Sequence, residues 1–101
     1  MPKKVIFLLD KSDDEKNTLD ALRSTLGLSV ANHYSYAVVM NHELSPFDDY
    51  NAENVEWIRD MEGEAYTTEQ ANVDNNGLTA LTLEEVGQKL REMDVIIPYG
   101  N

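Results

Sequence analysis

Apolar residues along the chain form continuous runs that alternate with stripes at helical spacing. Residues 5–9 are apolar at every position, which is typical of a strand buried on both faces of a parallel sheet. Residues 34–40 are rich in aromatic and β-branched side chains and predict the second strand. Between them, a capping-box spacing at Ser12 and Glu15 opens an apolar stripe that predicts a helix over residues 12–32. We therefore expect strand, helix and strand, with the first strand at the centre of the sheet.

The second half of the chain repeats this alternation with shorter elements. Asn51 is a predicted N-cap for a helix with one apolar face, which Gly63 is expected to end. Residues 64–68 predict a third strand and residues 78–81 a fourth. The polar residues 67–77 between them predict a loop.

A second capping box, Thr82 with Glu85, predicts the start of the last helix. Its inward-facing residues are predicted to be Leu83, Val86, Leu90 and Met93. A closing strand at residues 95–97 is expected to stop at Pro98. Strands that alternate with helices imply right-handed crossovers. We predict one α/β domain over residues 1–101, a three-layer sandwich with a four- or five-stranded, mainly parallel sheet.

Charge narrows the range of partners. Nineteen acidic against eight basic residues give a net charge of -11, which repels nucleic-acid phosphates and anionic lipid headgroups. Neither a nucleic acid nor a membrane is therefore an expected partner. The apolar run of residues 5–9 is too short to span a bilayer, and the start of the chain lacks the features of a signal peptide. A cytoplasmic location is expected.

Ligands of open parallel sheets bind where loops leave the carboxyl ends of the strands. The loop after the first strand lacks glycine and carries Asp10, Asp13 and Asp14, which disfavours a phosphate-binding loop. Three such carboxylates resemble the acidic pocket of a phosphoacceptor receiver domain. That magnesium chemistry also needs an aspartate at the end of the third strand, where Thr67 and Thr68 stand instead.

The two histidines bracket the second strand. His33 and His42 lie at its opposite ends, so a shared metal site is geometrically poor. Ser45 beside Pro46 is more simply a turn residue than a nucleophile, because no glycine-flanked elbow surrounds it. We predict no catalytic residue, no metal site and no cofactor.

Two long segments resemble the DsrE/DsrF-like family of small sulfur-metabolism proteins. The first is KKVIFLLDKSDDEKNTLDALRSTLGLSVANHYSYAVVM, and the second is NNGLTALTLEEVGQKLREMDVIIPYG. The resemblance covers nearly the whole chain and implies a DsrE-like, flavodoxin-like fold. It also implies assembly into trimers or hexamers and a link to sulfur-transfer pathways.

Family members that relay sulfur carry a cysteine in the loop after the third strand, shortly before a glycine and an apolar residue. Gly77 and Leu78 match that pair, but the chain contains no cysteine. Neither a threonine hydroxyl nor a carboxylate can replace a persulfide-forming thiolate. The predicted ligand or partner loop, which is equally compatible with a merely solvated loop, is Thr67, Thr68, Glu69, Gln70 and Asn72.

The leading interpretation is a non-catalytic binding or assembly protein with a DsrE-like fold, which is not expected to be an enzyme and cannot transfer sulfur through cysteine. The alternative is a small-ligand-binding protein or an enzyme that uses strand-end residues such as Glu69 and His42. Trp57, Phe47 and Tyr50 lie outside the clearest apolar stripes and predict a contact between copies of the chain. A homo-oligomer is expected, with a protein partner as a further option.

Overall fold

A five-stranded parallel sheet forms the middle of the molecule. The computed structural model describes residues 3–10, 23–25, 27, 33–40 and 43–99. The strands are β1 (Lys4–Asp10), β2 (Tyr34–Met40), β3 (Glu64–Thr67), β4 (Thr79–Ala80) and β5 (Val95–Tyr99). The helices whose bounds lie within the described residues are α1 (Asp49–Asp60), α2 (Gln70–Asn76) and α3 (Leu83–Arg91). The predicted α/β class with a parallel sheet is confirmed.

The strand order is β4-β3-β2-β1-β5, so β2 and not β1 is the middle strand. The prediction of a central first strand was wrong by one place, although β1 does have a parallel neighbour on each side. A wholly apolar run indicates burial on both faces of the sheet, but burial does not rank one interior strand above another. Most of the predicted helix over residues 12–32 lies outside the described residues. Within that range, residues 23–25 and 27 are described, and they are helical.

Two apolar clusters cover the two faces of the sheet. Phe7 of β1 belongs to the cluster that includes Val55 of α1. Its neighbour Ile6 belongs to the other cluster, together with Val86 of α3. Because successive strand residues point to opposite faces, α1 and α3 lie on opposite sides of the sheet. The three-layer arrangement follows.

Helix α1 begins three residues earlier than the sequence pattern predicts. Its N-cap is Asp48, whose Oδ1 accepts hydrogen bonds from the backbone N and the Nδ2 of Asn51, both at 2.9 Å. Asn51 is thus a donor to the cap and not the cap itself. A carboxylate satisfies the first-turn N–H groups and also suits the positive end of the helix dipole.

Gly63 does not end α1 by adopting a left-handed conformation. That conformation belongs to Glu62, with φ at 69°. A Cβ on Gly63 would collide with the carbonyl oxygen of Ser35 and lie 2.9 Å from Cγ2 of Ile58. Glycine is therefore needed here because the backbone entering β3 passes directly against β2 and α1.

The apolar face of α3 is narrower than predicted. Val86 is buried, and Leu90 and Met93 are half-buried against the sheet. Leu83 is 64% exposed, which contradicts its predicted inward position. Leu83 is the first helical residue, immediately after the cap, and it does not belong to the apolar cluster that contains Val86.

The two outermost strands differ from the predicted ones in length. β4 contains only Thr79 and Ala80, whereas residues 78–81 were expected. β5 continues through Pro98 to Tyr99, so the prediction that Pro98 stops the strand was wrong. Proline is tolerated in an edge strand because one side of that strand has no ladder partner to satisfy.

Candidate functional site

The polar stretch after β3 is a helix, which corrects the predicted loop over residues 67–77. Helix α2 ends at Gly77, whose φ of 67° is the left-handed conformation that favours glycine. Its sequence, QANVDNN, is poor in strong helix formers. Two of its asparagines make tertiary hydrogen bonds that a sequence pattern does not reveal.

Those asparagines hold the loop that precedes α1. Oδ1 of the buried Asn72 accepts the backbone N–H of Leu44 at 2.8 Å. Oδ1 of Asn76 accepts the backbone N–H of Phe47 at 2.7 Å, and its Nδ2 donates to the carbonyl of Ser45 at 3.2 Å. An amide side chain can donate and accept together, so α2 fixes the backbone of residues 44–47 from both sides.

A cavity of about 280 Å³ opens at the carboxyl ends of β3 and β4. Its walls are the residues that leave β3 and the residues that connect β4 to α3. They are Thr67, Thr68, Glu69, Gln70, Ala80, Leu81, Thr82 and Glu85. This is the position at which a parallel sheet offers a binding site.

The buried Thr67 forms the fixed floor of this cavity. Its hydroxyl donates to the carbonyl of Val39 at 2.9 Å. The same oxygen accepts the backbone N–H of Glu69 at 3.1 Å and Nδ2 of Asn72 at 3.0 Å. One donor and two acceptor positions are all that a hydroxyl has. Thr67 therefore supports the site and has no remaining capacity for a ligand.

Glu69 provides a carboxylate at the rim of the cavity. It occupies the N-cap position of α2, yet its side chain makes no capping hydrogen bond. Its Oε2 accepts the hydroxyl of Thr68 at 3.2 Å. Gln70 instead donates through Nε2 to Asp74 at 3.0 Å, along its own helix. Glu69 is therefore held loosely in comparison with Thr67.

The opposite wall of the cavity carries the capping box of α3, which confirms that sequence prediction. Thr82 Oγ1 accepts the backbone N–H of Glu85 at 3.1 Å, and Oε1 of Glu85 accepts the backbone N–H of Thr82 at 3.0 Å. These two bonds orient the Glu85 carboxylate at the cavity. The chain thus places a second carboxylate in the cavity lining.

The described lining offers many hydrogen-bonding groups and few candidates for a nucleophile. The chain has no cysteine, and the Thr67 hydroxyl is fully hydrogen-bonded. A covalent mechanism needs a nucleophile beside a base, and in the described lining the Thr68 hydroxyl lies 3.2 Å from the Glu69 carboxylate, at the long end of hydrogen-bond distances. Within the described residues, no group of three or more His, Cys, Asp or Glu side chains is arranged to hold a metal ion.

Four of the five predicted loop residues line the cavity, and the fifth lies behind it. Asn72 is fully buried and acts through Thr67 and Leu44. The sequence analysis missed the second wall, namely Ala80, Leu81, Thr82 and Glu85. A signal was present, because β4 is parallel to β3 and the residues after both strands must leave the same end of the sheet.

The three predicted association residues fall into two groups. Trp57 and Tyr50 are 48% and 56% exposed on α1. Nε1 of Trp57 donates to Glu53 at 3.2 Å, along the helix surface. Phe47 is half-buried and packs against the core, so it offers less free surface than the other two. His42, Asp13 and Asp14 lie outside the described residues.

The amino end of β3 is closed by Arg59. Its Nε lies 2.6 Å from Oε1 of Glu64, one terminal nitrogen lies 3.0 Å from Oε1 of Glu56, and the other donates to the Gly77 carbonyl at 2.6 Å. Burial lowers the pKa of Arg59, but its hydrogen bonds and charge attraction to Glu64 and Glu56 outweigh this and leave that pKa raised. The guanidinium joins α1, β3 and the end of α2.

The comparisons with known proteins support the fold. The crystal structure of the ychN protein from E. coli matches with a TM-score of 0.67, covering 95% of this chain and 98% of that chain at 15% sequence identity. This chain shares the DsrE-like fold of that protein. No protein-family model and no curated protein matches the sequence.

Within the described part of the chain, no helix combines the length and apolarity needed to cross a membrane.

Proposed function

We propose that this protein is a non-catalytic binding protein that holds a small ligand in the cavity at the carboxyl ends of β3 and β4. The observation that carries the proposal is the make-up of the cavity wall. Polar side chains from two separate segments converge on a space of about 280 Å³, close to the lower limit of typical ligand pockets. The hydroxyl at its floor is already fully bonded, which favours binding over covalent chemistry.

A thermal-shift screen tests this proposal. Nucleotides, thiols, metal ions, amines and small acids are each added to the purified protein. A ligand that binds the folded state alone raises the melting temperature by mass action. We expect at least one class to do so, and Leu81→Trp, which fills the cavity, should abolish the shift. Chemical denaturation of Leu81→Trp shows that this variant is folded. Failure of every class would contradict the proposal.

The DsrE-like fold raises the question of sulfur transfer, for which the chain lacks a thiol. We expect the intact mass to be unchanged after incubation with a persulfide donor, because no side chain can form a persulfide. Any role in a sulfur-transfer pathway would then be non-covalent. A stable sulfur adduct would overturn this expectation.

The second proposed property is homo-oligomerisation. Trp57 and Tyr50 expose aromatic surface on α1, and exposed aromatic side chains are enriched at interfaces. The net charge of -11 opposes association, but surface charges are screened beyond about 8 Å at physiological salt. Burial of an aromatic side chain contributes about 2 kcal/mol, and we expect this contribution to dominate.

Sedimentation velocity at low and moderate salt tests the association. We expect the native protein to sediment as a trimer or a hexamer, and Trp57→Ala to shift towards the monomer. A native monomer at every salt and protein concentration would end this proposal. An unchanged oligomer in Trp57→Ala would show that the interface lies elsewhere than at Trp57 on α1.

A further inference from the structure

We infer that the cavity takes a small organic cation, an alkylguanidinium or a short alkylamine. The inference rests on the proposed binding function and adds the chemical class of the ligand. Its starting point is the charge of the wall. Among the described residues that line the cavity, two are carboxylates, Glu69 and Glu85, and none is basic.

Positive charge near the cavity does not offset the negative charge of its described lining. Lys89 lies on the same helix as Glu85, but its Nζ is 5.7 Å from the ring centroid of Tyr66 and does not line the cavity. The N-terminus of α3 carries a partial positive charge. Glu84 and Glu85 in its first turn oppose that charge, and the Thr82 hydroxyl occupies one of its donors. In the described part of the lining, an anionic ligand would therefore meet two carboxylates and no compensating basic side chain.

Both carboxylates retain capacity for a donor. Each engages one oxygen with a neighbour, since Oε2 of Glu69 accepts from Thr68 and Oε1 of Glu85 accepts from Thr82. A carboxylate can accept about four hydrogen bonds. Charge-assisted bonds to a cation are shorter and stronger than neutral ones. A cationic ligand thus uses the acceptors that the fold leaves available.

The remaining walls set the size and shape of the ligand. Ala80 and Leu81 supply an apolar surface between the polar ones, against which a short alkyl chain can pack. A planar guanidinium presents donors in several directions, so that one group can reach carboxylates on two walls. The volume of about 280 Å³ limits the ligand to a small molecule.

Amide chemical shifts measured by NMR test the ligand class directly. The probe is methylguanidinium, with N-methylurea as its neutral isostere and methyl phosphate as an anion, at constant ionic strength. We expect methylguanidinium to shift the amides of Thr68, Glu69 and Leu81 in a saturable manner. N-methylurea and methyl phosphate should leave those amides unchanged.

Matched variants separate the site from the overall charge. Glu69→Gln and Glu85→Gln each remove one carboxylate, and glutamine at position 85 can keep the capping box. We expect each to weaken methylguanidinium binding by about tenfold or more, the equivalent of one hydrogen bond to a charged group. Glu84→Gln removes the same charge from the same helical turn but does not line the cavity, and it should change the affinity less than about twofold.

The outcomes distinguish this inference from the function on which it rests. Equal binding of N-methylurea or methyl phosphate, or equal weakening in Glu84→Gln, overturns the cationic class but leaves a ligand-binding cavity. Absence of any cation-induced shift at these amides also overturns the inference. The proposed function survives that result if another class in the thermal-shift screen stabilises the protein, and it fails if none does.

Discussion

The two ends of β3 belong to a strand of four residues and are built in opposite ways. At the amino end, the backbone passes so close to its neighbours that Gly63 has no room for a Cβ, and Arg59 bonds three separate acceptors. At the carboxyl end, Glu69 and Glu85 face a cavity with acceptor capacity remaining. The amino end of β3 is closely packed, whereas its carboxyl end borders an open space. The difference indicates where a ligand can be accommodated without disturbing the fold.

The largest effect is expected from adding a side-chain atom at the amino end of β3, which we call the closed end; the carboxyl end is the open end. Gly63→Ala forces a Cβ against the Ser35 carbonyl and the Ile58 side chain, and we expect it to lower the free energy of unfolding by about 3 kcal/mol or more. Urea denaturation measures the loss. Gly87→Ala is the control, because a Cβ there meets nothing within 4 Å and should stabilise α3 by up to about 1 kcal/mol. A loss below about 1 kcal/mol in Gly63→Ala would show that the closed end can relax.

A smaller effect is expected from removing the guanidinium of Arg59. Arg59→Met keeps most of the aliphatic stem but removes the guanidinium from the Gly77 carbonyl and from Glu64, whose Oε1 still accepts the backbone N–H of Ala65. Because these groups are only partly buried, we expect a loss of about 1 to 2 kcal/mol. The matched control is Arg91→Met at the exposed end of α3, which should change stability by less than about 0.5 kcal/mol. Equal losses in the two variants would contradict a special role for Arg59.

Alkaline pH sharpens the comparison further, because Tyr36 pairs in register with Glu64 at the closed end. Burial raises the pKa of Tyr36 above 10.0. The nearby Tyr66, Glu92 and Glu62 add to the rise, and Lys89 opposes it. The unfolded chain therefore loses this proton first. The stabilising contribution is complete below pH 10 and is lost as the pH rises through the folded-state value.

Denaturation of the native protein and of Tyr36→Phe, measured at several values of pH up to about 11, checks the sign. We expect the native protein to lose more stability than the variant over this window. Parallel loss in both proteins would exclude Tyr36 as the source.

The smallest effect is expected at the open end. Glu69→Gln should change the free energy of unfolding by less than about 0.5 kcal/mol, because the side chain makes no capping bond to α2. The same variant is expected to lose ligand affinity, so stability and binding separate at this residue. Denaturation without ligand is the measurement. A loss above about 1 kcal/mol would mean that Glu69 is structural.

Periodicity in the sequence was sufficient for the sheet and for α1 and α3, since their apolar residues recur at a strict spacing. It failed for α2, where QANVDNN has weak helix propensity and depends on bonds from Asn72 and Asn76 to a distant loop. Half of the cavity was predictable from the strand-end rule. The other half also needed the knowledge that β4 is the neighbour of β3, because the sequence predicted a fourth strand without its place in the sheet.

The outermost strands have a consequence for how copies of this chain can meet. A long exposed strand edge offers unpaired N–H and C=O groups on which another chain can add a strand. In the part of the chain that the structure describes, β4 at one edge has only two residues, and β5 at the other carries Pro98, which has no N–H. Such blunt edges disfavour growth of the sheet from one molecule into the next. If copies of the chain associate as proposed, they are then expected to do so through side-chain surfaces and not by extension of the sheet.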